Sequence, residues 1–142
     1  MNRRQALATL ALVIVRPSLA AEGTLADAIR NYTGGAAVKE GRVKFDIAEL
    51  VDNGNAVPVT ITVDSPMTAA NHVTAIALFN EKNPQRDIAR FQLGPRAGKA
   101  EIATRIRLAT TQKLVAIARM SDGSYWSHTV DVIVTLAACI ED

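Results

Sequence analysis

Few residues in this 142-residue chain are able to do chemistry. The only cysteine, Cys139, stands three residues from the C-terminus, and just two histidines occur, His72 and His128. A serine or cysteine triad needs a histidine oriented by a carboxylate. His128 and Asp131 are an odd number of residues apart, so on a strand they point to opposite faces. There is no Gly-rich phosphate loop, no nucleophile elbow and no His-Glu-x-x-His helix. These absences argue against a hydrolase. His72, His128, Met67, Met120 and Cys139 would suit a copper site, but no two lie at ligand spacing, and methionine in such a domain more often packs. No metal site is expected.

The cysteine is therefore the residue to explain. A lone thiol cannot form an internal disulfide, so it is buried, paired with another molecule, or reactive. The closing run from Tyr125 to about Ala138 alternates. Trp126, Val130, Val132, Val134, Leu136 and Ala138 share one parity, broken only by His128, and make an apolar face. Cys139 falls on the other parity with Ser127, Thr129, Asp131 and Thr135, although Ile133 and Ala137 also lie there. A strand continued that far points the thiol away from the core, near a chain end that frays. Spacing alone leaves open what the thiol does.

The elements that must position it read as one short helix followed by strands. Thr24-Leu-Ala-Asp27 matches a capping box with Asp in place of Glu, Leu25, Ala28 and Ile29 have helical spacing, and Gly34-Gly35 ends the helix. Period-two or apolar runs follow at 43–47, 57–63, 73–79, 88–93, 102–108, 114–118 and 125–138, with turn signals between them. These predict an all-β, immunoglobulin-like antiparallel sandwich of about seven strands after the N-terminal helix. A small barrel is the alternative.

Residues 1–20 read as an export signal. Arg3 and Arg4 are followed by the apolar stretch Ala6 to Val15, and Ser18-Leu19-Ala20 offers cleavage before Ala21. The paired arginines suggest the twin-arginine route, with Ala6 where phenylalanine is favoured. Residues 21–142 form the expected mature domain, one core's worth of chain released into the periplasm. No mature segment approaches the roughly 20 apolar residues of a membrane span. The formal charge of +2 is a property of the signal: three of 16 basic residues lie there, leaving 13 against 14 acidic and a balance of −1. Neither nucleic acid nor an anionic membrane is implied. Arg86, Arg90, Arg96 and Lys99, then Arg105 and Arg107, make a local basic cluster, either a solvated face or a docking surface for an acidic partner.

Several short segments together carry a resemblance. Val63-Asp-Ser-Pro-Met-Thr68, Lys82-Asn-Pro84, Thr104-Arg-Ile-Arg107, Met120-Ser-Asp-Gly123 with Trp126, and the closing Val134-Thr-Leu-Ala-Ala-Cys139 resemble SoxY, the sulfur-carrier subunit of periplasmic thiosulfate oxidation (Sox). The resemblance spans essentially the whole mature chain. It implies an immunoglobulin-like sandwich, a heterodimer with SoxZ, and covalent sulfur attachment at Cys139. The family's thiol carries intermediates at the S-thiosulfonate and persulfide levels between separate enzymes. These are a haem protein that loads it, a sulfatase-like hydrolase and a sulfur dehydrogenase. The carrier is not itself an enzyme, and no cofactor of its own is implied.

The tail departs from the family pattern. SoxY typically ends Gly-Gly-Cys-Gly-Gly, whose glycines let a thin arm enter partner active sites. Here Ala137 and Ala138 precede the cysteine, and Ile140-Glu141-Asp142 follow it. Alanine stiffens the approach, Ile140 adds bulk, and the acidic end disfavours the thiolate and repels anionic adducts. Two other readings stand beside the carrier: a structural sandwich with an incidental cysteine, and a thiol or copper relay.

Overall fold

The computed structural model describes residues 23–136; the expected export segment 1–20 and Cys139 both lie outside them. One helix, α1 (Leu25–Thr33), precedes nine strands: β1 (Val38–Glu40), β2 (Val43–Asp46), β3 (Leu50–Val51), β4 (Val57–Val63), β5 (Val73–Asn80), β6 (Asp87–Gln92), β7 (Glu101–Ile106), β8 (Gln112–Met120) and β9 (Tyr125–Val134). The larger sheet runs β1-β9-β8-β5-β6, with β3 also on β9, and the smaller runs β2-β4-β7. The expected all-β sandwich is present, with nine strands instead of about seven. The two additional strands, β1 and β3, pair with β9 in parallel, whereas the β8–β9 and β5–β8 ladders are antiparallel. Both added strands are too short to carry a period of their own.

Alternation decides which face enters the core. In β4, Val57, Val59, Ile61 and Val63 are buried while Pro58 and Thr62 are exposed. They meet Ile76, Leu78, Leu114, Ala116 and Val132 of the larger sheet in one apolar cluster. Each such side chain fully withdrawn from water contributes on the order of 1.5–3 kcal/mol.

The larger sheet is covered on its outer face too. Leu25, Ala28, Ile29 and Tyr32, spaced i, i+3, i+4 and i+7, pack on Ala77, Phe79, Val115 and Ile117. This explains why β5 and β8 read as nearly continuous apolar runs. The capping box is complete: the Thr24 hydroxyl accepts from Asp27 N–H and the Asp27 carboxylate accepts from Thr24 N–H, each at 3.2 Å. Gly34 closes the helix at φ 66°, a left-handed conformation that suits glycine.

Members of the basic cluster hold this helix in place. Arg86 Nε donates to Gly23 O at 3.2 Å. Arg90 pairs with Asp87 at 2.6 Å and stacks over Tyr32 at 5.0 Å. Arg105 and Arg107 are exposed, as a solvated face requires.

Candidate functional site

The chain that leads to Cys139 is fastened on both sides up to Leu136. On one side Ile133 N–H donates to Glu49 O at 2.8 Å and Thr135 N–H to Val51 O at 3.0 Å, while Gly54 N–H donates to Leu136 O at 2.8 Å. The Thr135 hydroxyl adds bonds to Val51 O and Asp52 O at 3.3 and 3.4 Å. On the other side Val134 N–H donates to the Thr111 hydroxyl at 2.9 Å. Leu136 is thus the last described anchor, and only Ala137 and Ala138 separate it from the cysteine.

A buried polar cluster stiffens the platform beneath this anchor. Asn83 Oδ1 accepts from Ala109 N–H at 2.9 Å and from Gln112 Nε2 at 2.7 Å, and Asn83 Nδ2 donates to Arg107 O at 2.8 Å. Gln112 Oε1 accepts from Lys82 N–H at 2.8 Å, and Asn80 Oδ1 from Asn83 N–H at 2.8 Å. Asn80 and Gln112 are nearly inaccessible, at 0% and 3% exposure. A buried amide is tolerated where it is hydrogen-bonded. The Lys82-Asn-Pro84 motif therefore ties the loop after β5 to the loop before β8. Leu108 N–H donates to Gly54 O at 2.8 Å and joins this network to the residue that holds Leu136.

Apolar surface concentrates at the same place. Among the described residues the exposed large hydrophobics are Leu50, Ile133 and Leu136, at 58%, 55% and 60%. Leu50 and Ile133 are register partners between β3 and β9. Leu136 corrects an expectation: its parity assigns it to the core face of a strand reaching Ala138, but β9 ends at Val134 and the chain bends at 135–136. Ser127 differs too. Its parity suggests the solvent side, yet it is buried beside its register partner Ile117, on the face that α1 covers.

Two clefts flank β3. One, of about 450 Å³, is lined by Asp46, Ile47, Leu50, Asp52 and Pro58 among others. The other, of about 580 Å³, lies along β9 where the chain leaves the sheet to form β2, and its lining includes Phe45, Glu49, His128, Asp131 and Ile133. Every carboxylate-bearing or cationic side chain lining either cleft is acidic: Asp46, Asp52, Glu49 and Asp131.

The other candidate ligands are structural. His128 Nδ1 accepts from Phe45 N–H at 2.9 Å, bridging the two sheets, which places the neutral ring's proton on Nε2. His72 lies in the loop before β5 with Nδ1 3.1 Å from Thr68 O. Met67 and Met120 are buried. Among the described residues no group of three or more His, Cys, Asp or Glu side chains comes together. Trp126 packs against the main core, as its parity suggests, with Arg42 stacked 4.6 Å from its ring. Asp122 is held below the usual carboxylate range by bonds from the Ser124 hydroxyl and N–H. Burial pushes the Tyr32 phenol above its ordinary value, with Tyr125 adding to the effect.

The two-sheet fold defines a class, a β-sandwich with counterparts among solved structures. The sulfur carrier protein SoxY from Chlorobium limicola f thiosulfatophilum superposes with a TM-score of 0.66 at 28% identity, covering 78% of this chain and 91% of that one. A superoxide reductase (neelaredoxin) from Ignicoccus hospitalis gives 0.59 at 18% identity, covering 65% and 78%. The superoxide reductase from Nanoarchaeum equitans gives 0.57 at 18%, covering 68% and 100%. The two reductases share the fold alone. No curated protein matches the chain. The family model described as "Sulfur oxidation protein SoxY" matches residues 29–139, and the chain belongs to the SoxY family.

Proposed function

We propose that this protein is a periplasmic carrier that holds sulfur intermediates covalently on Cys139 during thiosulfate oxidation. The observation that carries the reading is the extent of the family match, which ends on the chain's only cysteine. The anchored strand end supports it, since the chain is fastened as far as Leu136, three positions before the thiol. A thiol at that position is the nucleophile and attachment point; the sandwich supplies position and no catalysis.

Loading converts the Cys139 thiol and thiosulfate into a cysteine S-thiosulfonate. A sulfur–sulfur bond forms, one proton leaves the thiol, and the loading enzyme, a haem protein, would act as the oxidant that takes up the two electrons one at a time. A sulfatase-like hydrolase and a sulfur dehydrogenase then act on the bound sulfur, and a SoxZ-like subunit completes the carrier as a heterodimer. The reading also takes residues 1–20 as the export signal.

Replacing Cys139 with serine in the source bacterium tests the assignment. The variant should fold and be exported, carry no reductant-labile sulfur, and abolish thiosulfate oxidation. Full sulfur loading of Cys139→Ser would refute it.

A further inference from the structure

We propose that the exposed apolar patch formed by Leu50, Ile133 and Leu136 is the docking surface for the enzymes that act on Cys139. Its occupant is a protein surface with an apolar centre and basic side chains around it. The inference rests on the carrier reading above and names the surface through which that site is served.

Reach is the first argument. Only Ala137 and Ala138 separate Leu136 from Cys139, which makes three Cα-to-Cα steps, and an extended chain gains roughly 3.3–3.6 Å per residue. The cysteine's Cα therefore lies within about 10 Å of the Leu136 Cα. Any active site that encloses the thiol must bring its mouth close to the surface around Leu136. The exposed large hydrophobics of the described residues all lie on this surface, where two of them are register partners. Scattered surface leucines need no explanation, but a cluster beside a reactive position marks an interaction site.

Charge gives the partner its chemistry. The clefts on either side of β3 present Asp46, Asp52, Glu49 and Asp131, with no lysine or arginine in their lining. Lys113, 3.7 Å from Asp131, offsets only that one. A docking enzyme thus meets an apolar centre with an acidic border, and Lys or Arg around its active-site entrance complements it. Complementarity of this kind chiefly raises the association rate.

The test is made in the source bacterium oxidising thiosulfate, with Leu50→Glu/Ile133→Glu and Glu49→Gln/Asp52→Asn variants of the full chain. Sulfur on Cys139 is read by intact mass, and iodoacetamide alkylation of the purified protein reports the thiol alone. The apolar variant should lower loading about tenfold or more, the loss of a central contact, with unchanged melting temperature, alkylation rate and oligomeric state. The charge variant should lower loading less and flatten its dependence on ionic strength. Equal loading of wild type and both variants overturns the proposal while leaving the carrier intact. An unloaded wild type overturns the carrier reading itself. Faster alkylation of the apolar variant would show that the chain's own tail covers the patch. A change in oligomeric state, or loss of a co-purifying subunit, would assign the patch to a permanent interface. Either result overturns enzyme docking.

Discussion

At the scale of single residues, the sequence around the thiol carries its own chemistry. Glu141 and Asp142 follow Cys139 by two and three positions, and negative charge near a thiol disfavours the thiolate. Two carboxylates two and three positions from a thiol, screened by salt over roughly 8–10 Å, are expected to change the thiolate population about twofold. Glu141→Gln/Asp142→Asn should therefore speed alkylation of Cys139 by about that factor at neutral pH and low salt, and the difference should shrink as salt is added. His128 illustrates the opposite case, a titratable side chain whose work is structural. Its ring joins β9 to Phe45 of the other sheet, and no pattern in the sequence announces a bond across 83 positions. The polar cluster of Asn80, Asn83 and Gln112 was equally hidden, because its members become neighbours only when two loops meet.

At the scale of elements, local signals were legible wherever one face is wet and the other dry. The alternation of β4 and the capping box of α1 appear as the sequence predicts. β5 and β8 were recognisable only as apolar runs, since α1 seals the outer face that alternation would otherwise mark. β1 and β3 were not legible, being made by pairing with β9 and having three and two residues. The end of β9 was misread for a related reason: parity holds while a strand lasts and says nothing about where it stops. The seal made by α1 carries a pH prediction. Tyr32 packs its ring 5.4 Å from Phe79 and 5.9 Å from Tyr125, and burial raises its phenol above the ordinary 10.0. A folded value raised above the unfolded one gives stability that is full below pH 10.0 and lost as pH rises through the folded value. Tyrosinate absorbance of Tyr32, isolated by comparison with Tyr32→Phe, should therefore appear above the ordinary range. Helical circular dichroism should fall along with it. Ionisation of Tyr32 at or below 10.0 would contradict the packing described.

At the scale of the whole molecule, the sandwich fastens its last strand as far as Leu136, three positions before Cys139. The core withdraws Ile61, Ile76, Leu78 and Leu114 completely from water, and the polar cluster and β3 fasten the chain as far as Leu136. What remains is six residues with the cysteine third. Ala-Ala-Cys-Ile-Glu-Asp stands here where the family pattern has glycines on both sides of the cysteine. The central claim, that Cys139 is the sulfur attachment point, is tested most directly by intact-mass and peptide analysis of the wild-type protein. The protein is isolated from cells oxidising thiosulfate, with and without reductant. The account predicts a sulfur-containing adduct that maps to Cys139 and disappears on reduction; an unmodified Cys139 thiol under those conditions would contradict it.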